Sequence, residues 1–277
     1  MRLATVRTPD GTRAARLDGE DLVLLDAADV GALLEDEGRR ERATAADGDR
    51  VPFADAELAP VIPRPPKIVC LGMNYRSHIE EMGREAPTHP TLFGKYGRSL
   101  IGPRDDIVLP PESDQVDWEV ELAFVVGRMA RRVTGAAARG AIAGFTVLND
   151  VSMRDWQFRT MQFLQGKTWD RSTPVGPVLV TPDELPGETA PDLELRCEVD
   201  GEVMQEGRTS DLLFGPAELV EYISTILTLE PGDIIATGTP GGVGFGRSPK
   251  VFLQPGQVVR TSIEGIGELV NRCTTGT

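Results

Sequence analysis

The sequence predicts a mixed α/β protein, mainly β, with a small N-terminal α/β domain over residues 1–62 and a larger body over residues 63–277. Three observations point there. Extended stretches outnumber helical ones, the regular strand–helix alternation of a doubly wound sheet is missing, and the segment APVIPRPPK (59–67) places four prolines in a stiff connector between head and body.

Residues 1–27 carry short apolar runs around the turn signals PDG and DGED, which predict paired hairpins, and residues 28–40 predict a short amphipathic helix. Beyond the connector, KIVCLG opens a new strand. IGPRDDIVLPP, WEVELAFVVG, AGFTVLND, PVGPVLVTP, LELRCEVDGEVMQ and GDIIATG also read as extended, with VDGEV as a hairpin turn. Two helices are expected. One covers DVSMRDWQFRTMQFLQG (150–166); the other covers PAELVEYISTILTL (216–229), with Pro216 in its first turn and Leu219, Ile223 and Ile226 on one face.

Composition narrows the function classes. The chain has 277 residues, 40% of them apolar and 26% charged, the profile of a folded globular protein. A formal net charge of −14 opposes sequence-independent binding to nucleic acid, which needs basic surface to neutralise phosphates. No stretch approaches the roughly 20 apolar residues of a membrane span, and the first residues contain no hydrophobic signal core. The expectation is a cytoplasmic protein without a membrane partner. Three scattered cysteines, Cys70, Cys197 and Cys273, suggest reduced buried thiols rather than a disulfide framework or a thiolate metal site.

The chemistry concentrates in VDWEVELAFVVG (116–127). On a strand, Asp117, Glu119 and Glu121 share one side and Trp118, Val120 and Leu122 the other. The following LAFVV is apolar on both sides, as in a strand buried on both faces, so the adjacent acids are expected to line a cleft and to need a positive partner. Asp150, at the end of AGFTVLND, is a third candidate. Two glutamates and an aspartate make an all-oxygen set suited to Mg²⁺, Mn²⁺ or Ca²⁺. With only His78 and His89 in the chain, a histidine-rich zinc site cannot be built. Taken alone, an E-x-E strand also occurs on solvated edges.

His78 lies in LGMNYRSHIEEMG, where Ser77 and Glu80 have capping-box spacing, Gly83 can end the helix, and Glu81 sits three residues from the imidazole. Such a pair can act as a general base or can be a plain surface pair. His89, in APTHP, has no such neighbour and reads as a loop residue. The glycine-rich TGTPGGVGFG (237–246) lacks the order of a phosphate-binding loop. It can instead bring backbone close to a ligand, with Thr237 and Thr239 offering hydroxyls. Lys167 is a candidate cation for a substrate oxyanion or carboxylate.

The ordered set LGMNYRSHIEE, FGKYGRSLIGP, DWEVELAFVVG, LNDVSMRDWQ, GKTWDRSTPVGP and ATGTPGGVGFG resembles the fumarylacetoacetate hydrolase family over residues 67–273. The resemblance implies that family's β-roll catalytic domain behind a small head, a homodimer, and Mg²⁺ or Mn²⁺ held by Glu119, Glu121 and Asp150. It matches His78 and Glu81 to the family's water-activating pair, Lys167 to its enolate-stabilising lysine, Thr239 to the threonine at the substrate carboxylate, and Arg154 and Gln157 to pocket-lining positions. Met153 and the stretch WDRST (169–173) depart from the commoner family forms, which points to a different substrate tail. Residues 84–99 are expected to contribute to the lid and distal pocket, with Arg84, Lys95, Tyr96 and Arg98 available to an anionic tail.

The activity implied first is hydrolysis of a carbon–carbon bond in a small 2,4-dioxo acid of the acylpyruvate or fumarylpyruvate type, giving pyruvate and a carboxylic acid. Relatives with the same groups act as oxaloacetate-type decarboxylases or 2-hydroxymuconate-type enol–keto isomerases. A non-catalytic, metal-stabilised binding protein is the third reading.

Overall fold

The apolar run at residues 122–126 becomes the centre of the molecule in the computed structural model, which describes residues 1–276 apart from Met82 and Arg84. The strand Val120–Val126 is buried along its whole length. Leu122, Phe124 and Val126 enter one apolar cluster, while Ala123 and Val125 enter a second on the opposite face, so alternate side chains serve the two sides of the sheet. On one side the strand pairs antiparallel with Ile142–Asn149, and on the other with Ile234–Ala236. Outward from the first lie Thr173–Val180, Arg2–Thr8, Gly11–Asp18, Asp21–Leu24 and Arg50–Pro52; outward from the second lie Ile68–Gly72 and Thr91–Lys95. The N-terminal hairpins thus continue the central sheet, joined to it by the register Arg2 to Val180.

A five-stranded sheet completes the mixed, mainly antiparallel body, in the order Glu202–Arg208, Glu194–Val199, Val258–Ile263, Gly267–Thr275, Ile107–Leu109. The turn in VDGEV places Asp200 and Gly201 at φ 51 and 83, the double left-handed conformation of a tight hairpin. Cys70, Cys197 and Cys273 are free and buried. Among the described residues no helix is long and apolar enough to cross a membrane.

The helices depart from expectation in instructive ways. Residues 150–166 do not form one helix. They run as a bridge strand Ser152–Met153, a turn of helix Arg154–Gln157, and another, Leu164–Lys167. Arg154 and Lys167 both reach the Glu119 carboxylate, at 2.7 and 2.6 Å. In a continuous helix they would be about 20 Å apart along the axis, so the shared ion pair excludes it. In Pro216–Ile226, Leu219, Val220 and Ile223 are buried but Ile226 is 57% exposed, because the helix ends there. The amphipathic segment after residue 28 splits into Val30–Leu34, capped by the Asp29 carboxylate, and Arg39–Ala45. Helix Arg76–Glu81 starts before Ser77, and that residue bonds the Asp211 carboxylate at 2.6 Å rather than forming the expected capping box. Gly83, at φ 61, closes the helix by donating to the Glu80 carbonyl.

Phe124, fully buried, meets Phe145 edge-on at 6.5 Å between ring centroids. Phe124→Ala should cost about 3–5 kcal/mol of unfolding free energy. Denaturant titration checks this, and a loss under about 1 kcal/mol would contradict the central position assigned to the strand.

Candidate metal centre and active-site cleft

Continuous pairing of the acid-bearing segment stops between Val116–Asp117 and Val120–Val126. The break lets Asp117, Glu119 and Glu121 turn inward at different depths. Carboxylate oxygens of Glu119, Glu121 and Asp150 lie within 4.8 Å of one another, all three residues being buried. Asp150 reaches this point at the end of Ile142–Asn149, where its amide donates to the Glu119 carbonyl.

The positive partners demanded by the sequence are Lys167, Arg154 and Lys95. Lys167 Nζ lies 2.6 Å from Glu119 Oε2 and 2.9 Å from Asp150 Oδ2. Lys95 Nζ lies 2.6 Å from Asp150 Oδ1. Arg154 spans Asp117 at 2.8 Å and Glu119 at 2.7 Å. Gly166, just before Lys167, sits so close to Gln157 that an added Cβ would fall 2.5 Å from the Gln157 Cβ. Absence of a side chain there lets the two short helices meet and delivers the lysine to the acids.

Asp117 stands apart from the triad. Its carboxylate accepts from the amides of Trp118, Gly244 and Phe245 as well as from Arg154, so it pins the glycine-rich loop. Among the described residues, that loop also supplies the one hydrogen bond made by the Glu121 side chain. Gly238, at φ 95, donates its amide to Glu121 Oε2 at 2.8 Å, in a backbone conformation that favours glycine.

The charge balance is uneven. Four buried carboxylates, Asp117, Glu119, Glu121 and Asp150, face three cations, Lys95, Arg154 and Lys167. Burial alone would raise the Asp150 pKa, but Lys167 and Lys95 overcome it and hold the group below the ordinary carboxylate range. Burial would likewise lower Lys167 and Arg154, yet Asp150 and Glu119 raise the lysine, and Glu119 and Asp117 raise the guanidinium. The imbalance falls on Glu121, whose carboxyl burial, then Asp150 and Glu119, push well above the carboxylate range. Among the described residues its buried Oε1 has no hydrogen-bond partner. A lone buried oxygen beside two further carboxylates, with oxygen donors alone, fits a hard divalent cation.

Above this floor opens a cleft that is continuous with solvent. His78, Glu119, Arg154, Gln157, Lys167 and Thr239 line it, and Glu121 and Asp150 lie beneath. Glu81 sits at the rim, 3.1 Å from His78 Nδ1, and also accepts from the Gly242 amide. Gln157 Oε1 accepts from Arg154 Nη1. The Thr239 hydroxyl donates to the Val120 carbonyl and accepts from Gln205 Nε2, so its proton faces backbone. His89 lies outside the cleft, stacked 6.2 Å from Tyr222.

The distal cations expected for a substrate tail are placed otherwise. Lys95 is buried against Asp150, and Arg98 pairs with Asp170 at the surface, 3.1 Å away. Tyr96 is 65% exposed, and Arg84 lies outside the described residues. Met153 and Trp169 do not line the cleft either. Sequence reading missed Lys95 as a partner of Asp150, and it missed Gln205, whose Oε1 accepts from the Val120 amide. Only tertiary pairing joins these positions to the acids.

A β-roll that gathers a buried carboxylate triad at the start of its central strand and the end of the neighbouring one, beneath a cleft lined with acid–base groups, defines an enzyme site of the metal-competent, oxygen-donor kind. The family model for the fumarylacetoacetate hydrolase C-terminal domain matches residues 67–274, and the chain belongs to that family. It is 43% identical to the human mitochondrial oxaloacetate tautomerase FAHD2A over 83% of this chain and 74% of that protein. Among solved structures, 5-carboxymethyl-2-hydroxymuconate delta-isomerase from Mycobacterium smegmatis is 38% identical, with both chains fully covered and a TM-score of 0.80. Maleylpyruvate hydrolase from Sphingobium sp. SYK-6 is 29% identical, also with full coverage, at a TM-score of 0.81. Hydrolases, isomerases and tautomerases thus share this architecture.

A carboxylic acid whose pKa is raised on folding holds its proton after the unfolded chain has released it, so the folded state loses relative stability as pH rises above about 4.5. Metal-free protein should therefore lose stability relative to Glu121→Gln as pH rises from that point, and Mg²⁺ or Mn²⁺ should reverse the loss in the unsubstituted chain only. Denaturation with EDTA and then with metal, over a pH series, checks this; a difference flat with pH would rule out an abnormally protonated Glu121.

Proposed function

We propose that the protein is a divalent-metal-dependent enzyme that interconverts the enol and keto forms of a small 2-oxo acid. The observation that carries the reading is the convergence of His78, Lys167 and Arg154 on one cleft directly above the Glu119, Glu121 and Asp150 triad. Its 43% identity to an oxaloacetate tautomerase and 38% identity to a hydroxymuconate isomerase favour enol–keto chemistry over bond cleavage.

Glu119, Glu121 and Asp150 would hold Mg²⁺ or Mn²⁺, with Ca²⁺ a weaker fit. When bound, the cation supplies Lewis acidity toward the oxygens of a 2-oxo acid. Lys167, kept protonated by Asp150 and Glu119, sets an ammonium in the cleft to stabilise negative charge developing on the 2-oxo oxygen. With the Glu81 carboxylate accepting from Nδ1, His78 presents Nε2 to the cleft. Nε2 removes a proton from C3 to leave the enolate, whose 2-oxygen takes a proton from solvent to give the enol; in the reverse direction the 2-oxygen gives its proton to solvent and Nε2 returns one to C3. Arg154 and Gln157 hold each other and orient the acids beneath the substrate.

The His78 and Glu81 pair, at the solvent-open rim, also supports hydrolysis of a 2,4-dioxo acid. In that case Nε2 takes a proton from water, hydroxide adds to C4, the C3–C4 bond breaks, and the pyruvate enolate is protonated at C3. The similarity to maleylpyruvate hydrolase supports this second reading.

Decay of enol-oxaloacetate absorbance with added Mg²⁺ or Mn²⁺, run beside pyruvate release from acetylpyruvate, separates the two. The expected result is accelerated enol decay without pyruvate release. Lys167→Ala and His78→Ala should each lower the rate by roughly 10²–10⁴-fold. Glu119→Ala should lose metal binding and activity together. Metal-dependent pyruvate release with no enol decay would replace the tautomerase by the hydrolase.

A further inference from the structure

The helix that carries His78 and Glu81 is too short to place itself. Arg76–Glu81 spans 6 residues, with Ile79 buried, whereas isolated helices shorter than about 12–15 residues are marginal in water. Its position over the cleft is therefore set by what grips its two ends. At the far end the Glu81 carboxylate accepts from the Gly242 amide at 3.1 Å, which ties the helix to the glycine-rich loop.

The near end is held by residues 209–214, which join the strand Glu202–Arg208 to the helix Pro216–Ile226. The Leu213 amide donates to the Asn74 carbonyl at 2.8 Å, and the Phe214 amide to Asn74 Oδ1 at 2.9 Å. Tyr75 pairs with Leu212 in an antiparallel bridge. Arg76 Nη1 donates to the carbonyls of Asp211 and Leu212, at 3.2 and 2.7 Å. All of these contacts use the backbone of 211–214. Asp211 adds a side chain: its Oδ2 accepts from the Ser77 amide at 3.0 Å and from the Ser77 hydroxyl at 2.6 Å. One carboxylate oxygen thus takes both donors of the residue next to His78, in hydrogen bonds roughly twice as strong as neutral ones. Asn74 connects this clamp to the floor, since its Nδ2 donates to the Thr237 carbonyl at 2.8 Å, one residue before the Gly238 that serves Glu121.

Building on the reading of His78 as the acid–base group, we propose that Asp211 is a positioning residue for the reaction. Through Ser77 it fixes the first turn of Arg76–Glu81 and so holds His78 Nε2 over the floor, in reach of the carbon that exchanges its proton. The cleft lining does not include Asp211 among the described residues, so it acts through the histidine rather than on the substrate. Misplacing a reacting group by about 1 Å can cost about 100-fold in rate.

Steady-state kinetics on the metal-loaded full chain test this, with enol-oxaloacetate decay and acetylpyruvate cleavage as the two reactions. Asp211→Ala should lower kcat by about 10–100-fold and leave KM within about threefold. Mn²⁺ affinity, the measure of an intact floor, should stay within about twofold in the same variant. Asp211→Asn, which keeps an oxygen to accept from Ser77, should recover kcat to within about threefold of the unsubstituted chain. In a His78→Ala background, Asp211→Ala should cause no further loss, because the two act as a unit. A readout without turnover comes from NMR of the ring signals of His78 and His89, the two histidines of the chain: Asp211→Ala should shift those of His78 and leave those of His89 in place. Loss of rate in His78→Ala with full rate in Asp211→Ala and unmoved His78 signals would overturn the positioning role and leave the reading of His78 standing. Additive losses in the double variant would also overturn it. Full rate in His78→Ala would overturn the reading of His78 itself. If the unsubstituted chain turns over neither substrate, the 2-oxo acid reading falls, and the His78 signals alone decide whether Asp211 places the helix.

Discussion

Four carboxylates held out of water are the constraint on which the rest of the body depends. An unpaired buried charge costs several kcal/mol, and removing one partner from a buried pair costs roughly 3–5 kcal/mol. The fold answers with donors from every direction: amides of the glycine-rich loop for Asp117, Lys167 and Arg154 for Glu119, two lysines for Asp150. Each donor fixes a segment that has little regular structure of its own. The loop at 237–246 is shaped by delivering amides to Asp117 and Glu121, and the two short helices after Asp150 are placed by carrying Arg154 and Lys167 to a single carboxylate.

This also explains which parts of the molecule were legible in the sequence. The central strand was readable because LAFVV leaves it no exposed face, and the acids beside it announced both a cleft and a need for positive charge. The hairpins were readable from turn residues that accept left-handed backbone, such as Asp200 and Gly201. Residues 150–166 were misread because their local pattern favours helix while their side chains answer to Glu119 and Asp117. Lys95 was seen as a pocket residue rather than as a partner of Asp150, since nothing local links positions 55 residues apart. Ion pairs between strands of one sheet have no periodic signature, whereas burial does.

The cleft divides into a floor and a wall with different physics. The floor is preorganised by ion pairs whose members hold their charges, Asp150 lowered and Lys167 and Arg154 raised by one another's proximity once the cost of burial is overcome. Fixed charges of this kind need little rearrangement when negative charge develops on a substrate, which is the usual source of electrostatic catalysis. The wall is aromatic, lined by Phe93, Phe158, Phe163 and Phe245. Tautomerase, isomerase and hydrolase relatives share the architecture, which is the behaviour expected when one floor serves a common 2-oxo acid fragment and the surrounding groups decide what happens beyond it.

The excess carboxylate at Glu121 suits the floor to a cation. Three positive side chains do not neutralise four negative ones, and Glu121 Oε1 is left buried without a hydrogen bond. Protonation of Glu121 would relieve the imbalance, which is why burial and its neighbours drive its pKa upward. A divalent cation would relieve it differently, by satisfying the lone oxygen and turning the net charge of the cluster from negative to positive. Only the second state attracts the carboxylate of a 2-oxo acid. A fully neutralised floor would be more stable without metal and would have lost the reason to bind one.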